Sequence, residues 1–378
     1  MGEFFQDPAA LLAREARDLS DEDFSLFNSL TNVDLTAEET EAARSPTAVD
    51  PSPQEVFATH FHPEWVPLPL IGERLQKAFP NATGRLAIPT QHNVLLSLDD
   101  YTGVEADVFA PEYGIKIQLL VHFHNSRLPR AGTLDAMIQR TFRYRALQLL
   151  DVLAQLSSPD EATLKEIKKM GFHETSVRLA RLYASKLQNL LAETRIVATP
   201  RAETLKNRLI TDFIEKKATD LPPLALDRLL ALVNCVKKAV KGRLNPARFH
   251  AAREVIEEAR GLGAGIVIPH PPLFWPALLD DLDVDGWEVW NPSTPNHTLF
   301  LIGCLARKPQ GAKRLLAFMG DDTHMSSKIR ASMAYDKGGP PREIGFQPPW
   351  RDPAVAQALK DAGQSRERTL AEYRARLA

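Results

Sequence analysis

Cysteine is nearly missing from this chain. Only Cys235 and Cys304 occur in 378 residues, and neither has a partner at metal-type C-x-x-C spacing. That excludes a disulfide framework and makes a reducing cytoplasm the expected location. Long apolar runs are missing too, and no stretch approaches the roughly 18 apolar residues of a membrane span. The opening residues, Met1-Gly2-Glu3-Phe4-Phe5-Gln6-Asp7, lack the basic start and apolar run of a secretory signal. No repeat recurs at a fixed spacing. Net charge is small as well, at -2.

What remains is a globular composition, 44% hydrophobic and 25% charged. The length is generous for one domain, although a barrel with insertions uses chains of this size. The charge is uneven. Residues 1–58 hold 13 acidic and 3 basic groups, net -10, whereas residues 127–260 hold 25 basic and 15 acidic groups, net +10. A basic middle attracts phosphates or nucleic acid, or it is a set of solvated helix faces on which the acidic segment packs.

Residues 1–55 read as an acidic helical appendage and linker. Pro8-Ala-Ala-Leu-Leu-Ala opens one helix, Ser20-Asp-Glu-Asp caps another before Phe24 and Phe27, and Ser45-Pro46 to Pro53 is linker. From residue 56 to 126 the texture changes to short apolar runs ending in polar residues or histidine, with helical stretches between, as in α/β units. Residues 127–260 are helical in pattern, with a capping-box start at Ser158-Pro-Asp-Glu161 and later helices from about Glu174, Arg201, Leu224 and Pro246. Strand texture returns over 261–345, and a charged helix near 353–377 closes the tail, 346–378.

The histidines organise the rest. In Val56-Phe-Ala-Thr-His60-Phe-His62, two imidazoles one residue apart on an extended segment share a face, which suits a divalent transition metal. Of ten histidines, seven (60, 62, 92, 122, 124, 270 and 324) lie at or near the C-terminal ends of predicted strands; His173, His250 and His297 do not. In parallel α/β folds those ends form the functional face. Glu105 and Asp322 end similar runs and would add hard oxygen ligands.

These motifs, in this order, resemble the polymerase-and-histidinol-phosphatase (PHP) family. The family's H-x-H is similar to His60-Phe61-His62, its T-D-H to Thr90-Gln91-His92, its G-x-E to Gly103-Val104-Glu105, and its A-H-P to Pro269-His270-Pro271. Its G-x-E-V-x-N resembles Gly286-Trp-Glu288-Val-Trp-Asn291, and its terminal G-S-D-A-H resembles Gly320-Asp321-Asp322-Thr323-His324. The likeness covers roughly 56–126 and 261–330. It implies an α/β fold, a distorted (β/α)7 TIM-like barrel, here with a large helical insertion and the N-terminal appendage.

The resemblance also implies a site. His60, His62, Glu105 and Asp322 would hold a first ion, Glu105 would bridge to a second held by His270 and either His122 or His124, and His92 and His324 would serve a third ion or touch phosphate. Two or three zinc, manganese or iron ions are implied, with Glu105, Asp322 and His324 as the catalytic set. Such ions lower the pKa of a shared water and neutralise phosphate oxygens. Three departures stand out. The family's S-D-G gives way to Pro63-Glu64-Trp65, the T-D-H aspartate is Gln91, and the histidine expected after the glutamate falls at Gln118. His122 and His124 share a strand face with Gln118 and are the candidate replacements. Glu288 is expected to orient an imidazole or, with Arg127, to touch substrate; Arg140, Arg143 and Arg145 are further phosphate candidates. Trp65, Trp275, Trp287 and Trp290 flank the motifs, as core or as a pocket wall.

Three functions follow. The first is a metal-dependent phosphoesterase acting on a phosphorylated small molecule, a nucleotide or a nucleic acid, away from membranes. The second is an amidohydrolase-like amide or ester hydrolase, whose barrel also orders H-x-H, His, His, Asp. The third is a catalytically inactive scaffold that binds a partner through its acidic and basic blocks.

Overall fold

The computed structural model describes residues 18–193, 204–243, 245–308, 313–325 and 342–378. The helix expected at Pro8, the start of the one expected at Arg201, and the residues just after Tyr335 lie outside them. In chain order the first half contains α1 (Asp21–Thr31), α2 (Ala37–Arg44), β1 (Glu55–Ala58), β2 (Phe61–His62), α3 (Leu68–Ala78), β3 (Gly84–Ala87), β4 (Leu96–Leu98), β5 (Tyr101–Ala110), β6 (Ile115–His124), α4 (Gly132–Ser157), α5 (Glu161–Lys169) and α6 (Glu174–Ala192). The second contains α7 (Arg208–Lys217), α8 (Pro223–Gly242), α9 (Ala252–Gly261), β7 (Gly265–Ile268), α10 (Trp275–Leu279), β8 (Gly286–Trp290), α11 (Thr298–Arg307), β9 (Leu316–Met319), β10 (Thr323–His324), α12 (Pro353–Asp361) and α13 (Arg366–Leu377). None of the described helices is long and apolar enough to cross a membrane.

The chain divides into two compact units, Met1–Asp34 with Arg143–Asn245, and Leu35–Phe142 with Pro246–Ala378. The first is helical. Ser20 starts α1 with a capping box, its hydroxyl accepting from Asp23 N while the Asp23 carboxylate accepts from Ser20 N. Phe27 packs with Leu149, Leu153, Tyr183, Leu187, Phe213, Val233 and Val236, and each helix gives one apolar face by its three- and four-residue spacing. Asp23 is fully buried, with Lys186 Nζ at 2.9 Å and Lys217 Nζ at 3.2 Å. Burial pushes the Asp23 pKa up, but Lys186, Ser20 and Lys217 more than offset this, so the net shift is downward. Its contribution to stability is therefore present above the ordinary carboxylate value and is lost as pH falls through the depressed one. Asp23→Ala is expected to cost about 3–5 kcal/mol, because it leaves the buried Lys186 ammonium without its partner; a urea melt at neutral pH checks it.

In the second unit, strand direction decides which residues can meet. Three ladders form: a six-stranded sheet ordered β4-β5-β6-β7-β8-β9, the pair β1-β3 and the pair β2-β10. The pairs β1-β3, β2-β10, β7-β8 and β8-β9 are parallel, but β6 is antiparallel to both β5 and β7. The expected barrel is thus not one closed ladder. Single links join the ladders: Asp322 N to His60 O at 2.9 Å, Thr90 N to Phe61 O at 2.8 Å, and a bridge between His92 and Glu105.

Two apolar layers enclose this unit. Val104, Val121, Ile266 and Val289 face outward beneath α9 and α11, where Ile256, Leu301 and Ile302 cover them. Phe57, Leu86, Leu120, Val267, Leu316 and Phe318 form a second cluster with Leu370, Tyr373 and Leu377 of α13. The tail read as one charged helix is two, parted at Gly363 with φ +65°. The apolar stripe of α13 lies among the strands while its arginines reach outward, Arg376 to Asp285 and Arg374 to Glu55. Gly265 makes room for this, since a Cβ there would sit 2.5 Å from the Tyr373 hydroxyl.

Candidate metal centre

β1 ends at Ala58, and the chain bends so that His60 and His62 project together while Phe61 turns into the core. β10 lies parallel to β2, with His324 opposite His62. Asp322, just before it, and His270, just after β7, hold left-handed backbone at φ 49° and 30°. Glu64 and Asn93 do the same at φ 55° and 54°. For residues with a Cβ this costs about 1–3 kcal/mol each, and such strain clusters at functional sites.

Three groups of side chains bring ligand atoms within 4.8 Å of one another: His62, His92 and His324; His60, His270 and Asp322; and His60, His62 and Glu105. Glu105, fully buried, is the hinge between them. Its Oε1 faces His60 Nε2 at 3.8 Å and His270 Nε2 at 3.4 Å, while its Oε2 faces His62 Nε2 at 3.6 Å and pairs with His92 Nδ1. Asp322 Oδ1 faces the Nε2 atoms of His60, His62 and His324 at 3.6, 3.3 and 3.4 Å. The rings of His62 and His324 stack at 4.2 Å, and those of His62 and His92 at 4.5 Å. His60 and His62 are sealed from solvent, whereas His92 and His324 are 17% and 25% exposed and form the mouth.

The far nitrogens of His60 and His324 are held from behind. Glu288 Oε1 lies 2.6 Å from His60 Nδ1, its Oε2 accepts from His270 N at 2.8 Å, and Asn291 Nδ2 adds a third bond at 3.1 Å. With Nδ1–H donated to Glu288, His60 presents its Nε2 to the cluster. Gly320 leaves space for this carboxylate, because a Cβ there would lie 1.9 Å from Glu288 Oε1. Glu64 Oε1 does the same for His324 Nδ1 at 2.9 Å. Replacing Glu288 by alanine is expected to weaken metal affinity roughly 10–100-fold, with glutamine restoring part of it; metal titration of both variants checks this.

Burial opposes charge on His60, but Glu288, Asp322 and Glu105 overcome it and push its pKa up to about 10. Burial likewise opposes His324, which Asp322 and Glu64 raise to about 9. His62 goes the other way, held well below its ordinary value by burial and by the neighbouring His324 and His92. Burial would raise the Glu105 and Asp322 pKa values, yet the surrounding imidazoles hold both carboxyls well below the usual range. The donor set fits divalent cations on this chain's own terms. Glu105 Oε1 is buried with nothing nearer than His270 Nε2 at 3.4 Å, an acceptor without a hydrogen bond in the middle of the imidazoles. Imidazole nitrogen with carboxylate oxygen suits zinc, manganese or iron.

His60, His62, His92, Glu105, His270, Asp322 and His324 are therefore brought together. His122 and His124 are not. β6 runs opposite to β5, so His122 is paired with Gly103 and Gly265, and His124 with Tyr101. His122 is buried with Nδ1 2.8 Å from the Tyr373 hydroxyl, and burial, then the His60 charge, lowers its pKa to about 3. His124 instead caps the short turn that follows it, accepting from Ser126 N. Arg127 lies beyond that end too, donating to the Leu262 and Ala378 carbonyls, which makes it a strut rather than a substrate contact. Arg140 likewise donates to the Ala247 carbonyl. Glu288, 1% exposed, is an orienting group rather than a substrate contact. Trp287 and Trp290 are core, and Trp275 is 39% exposed.

Sequence reasoning missed Glu64 and left Gln118 as a mere departure. Gln118 Nε2 is 3.5 Å from His92 Nδ1, and Gln91 Oε1 accepts from Glu64 N at 3.0 Å. No strand period carries Glu64 into the site, since β2 ends at His62 and Glu64 takes left-handed backbone.

Fold and site together define an α/β protein with a candidate metal centre. No protein-family model and no curated protein matches the chain. Among solved structures, it is similar to a candidate metal-dependent phosphoesterase from Bifidobacterium adolescentis, with 17% identity, 72% of this chain and 89% of that chain covered, and a TM-score of 0.45.

Proposed function

We propose that this chain is a metal-dependent phosphoesterase of the PHP type. The observation that carries this is Glu105, whose two buried oxygens each face a separate pair of imidazoles, His60 with His270 and His62 with His92. One carboxylate serving two such pairs is the arrangement of a bridging ligand between adjacent cations. Links between the ladders run through segments 55–62, 84–92, 101–110, 115–124, 265–268, 286–290 and 316–324, which supports reading them as a distorted (β/α)7 barrel with the cluster at one end.

Ions held here would polarise phosphate oxygens and supply a water of lowered pKa. The chain's own part is positioning. Glu288 and Glu64 fix the tautomers of His60 and His324, and Glu105 and Asp322 concentrate negative charge that a dianionic substrate could not approach without cations between. Arg342 lies beside the cluster, with NH1 3.4 Å from the Asp322 carbonyl, and offers a guanidinium to a phosphate oxygen.

The test is elemental analysis of protein purified without chelator or affinity-tag metal, combined with hydrolysis of p-nitrophenyl phosphate, its bis-ester and p-nitrophenyl acetate. Stoichiometric zinc, manganese or iron, with phosphate-ester cleavage lost on chelation, is expected. Faster cleavage of the acetate would move the chain to the amide and ester hydrolases, and substoichiometric metal after incubation would leave an inactive scaffold.

A further inference from the structure

The second unit has another cavity, at the end where β1 begins rather than where the ligands gather. It encloses about 590 Å³ between residues 50–55, the turn Pro348–Arg351, α12 and α13, a volume typical of small-molecule sites. Phe79, Leu359 and Leu370 give it an apolar floor. The Trp350 ring stands in its wall, locked by an indole N–H bond to Gln347 Oε1 at 2.7 Å.

Charge at this cleft is organised. Asp50 is paired with Arg351 at 2.6 Å and Glu55 with Arg374 at 2.9 Å, and the third acid of the lining, Glu367, acts on Arg366. Arg366 gives one N–H to the Glu55 carbonyl at 2.6 Å. Burial lowers the Arg366 pKa most, and the like charge of Arg351 lowers it further, against the opposing pull of Glu367, Glu55 and Asp50. Arg351 and Arg366 both line the cleft, and an anion there would offset their like charge. Lys360 extends the positive side. Gln364, 3% exposed, also lines the cleft and keeps an Oε1 without a hydrogen-bond partner in the structure.

We propose that the cleft between the 50–55 segment, Trp350 and α13 binds a small phosphomonoester carrying a planar ring, of the nucleoside monophosphate class. The ring lies on Trp350 and the apolar floor, the phosphate sits between Arg351 and Arg366, and Gln364 accepts from the ligand. Such a ligand would reach the metal centre through Gln347, whose Nε2 donates to the Met319 carbonyl at 2.6 Å, and through Gly345, whose N–H bonds the Asp321 carboxylate at 2.9 Å. The cleft is an effector site, and its occupancy does not depend on the reading of the metal centre.

Equilibrium dialysis of adenosine monophosphate against the full chain in chelator tests this, because chelation keeps metals from presenting a second phosphate site. Saturable binding to one site is expected. Arg366→Gln should weaken it roughly tenfold to a hundredfold, the loss of a bond to a charged group, and Trp350→Leu should weaken it as well. Should Arg366→Gln fold poorly, the exposed Lys360→Ala gives a second reading, with a severalfold loss expected. The proposal is overturned if adenosine monophosphate does not bind saturably, if these variants bind it as wild type does, or if inorganic phosphate binds as tightly, which would mean that the ring contributes nothing.

Discussion

Glu105→Gln is expected to strip the protein of most of its metal and to slow phosphate-ester hydrolysis roughly a thousandfold, several kcal/mol of lost transition-state stabilisation at about 1.4 kcal/mol per decade. The substitution keeps the shape of the side chain and removes one charge, so the effect isolates the carboxylate. In the fold, Glu105 is the point where two imidazole pairs meet. An amide can present only one oxygen to them and turns a donor towards the other pair. The folded protein should survive the change. The imidazoles around Glu105 hold its carboxyl well below the usual range, so the ionised form is favoured in the metal-free fold and Glu105→Gln should melt in chelator somewhat below the wild-type temperature. Wild type, by contrast, should gain stability on adding metal, in proportion to the logarithm of its concentration, and the variant should not. Elemental analysis with paired melts reads both. A variant that keeps its full metal content would remove Glu105 from the centre.

The other large effect is expected at the opposite end. Tyr373→Ala should destabilise the second unit by about 3–5 kcal/mol, the range for deleting a large buried aromatic side chain. Tyr373 is fully buried, its ring edge-on to Phe318 at 4.8 Å, and its hydroxyl meets His122 Nδ1 at 2.8 Å. Tyr373→Phe keeps the ring and loses only that bond, so about 1–3 kcal/mol is expected for leaving His122 unsatisfied. Denaturant melts of the two variants separate packing from hydrogen bonding. Equal losses would show that the hydroxyl, not the ring, is what matters here.

How far the sequence reads depends on what its pattern encodes. His60, His62, His270 and Asp322 are legible because each closes a short apolar run, and the end of a run is visible in one dimension; Glu105, expected at such an end, sits in the middle of β5. Strand direction is not. β6 has the same alternation whichever way it runs, and only its pairing with β5 and β7 shows that its end points away from the cluster. Four residues of strand from Gln118 to His122 amount to about 13 Å, too far for one imidazole to replace another. Glu64 was hidden because left-handed backbone at φ 55° re-aims it, and a strand pattern does not foresee that turn. The helices of the first unit are legible from their apolar spacing, but a helix face does not name its partner, so the meeting of Asp23 with Lys186 and Lys217 is not. The stripe of Leu370, Tyr373 and Leu377 was overlooked for a different reason, since the arginines between them read as a solvated tail.

That stripe sets an order in time. The inward faces of strands starting at Glu55 are covered by side chains that leave the ribosome only after residue 366. At about 5–20 residues per second, the earliest strands wait tens of seconds with Phe57 and Leu86 uncovered. The helical unit, built largely from neighbouring segments of 143–245, can pack meanwhile. Cells making this protein therefore carry a long-lived, half-open nascent chain, and chaperone demand should fall on the strands rather than on the helices.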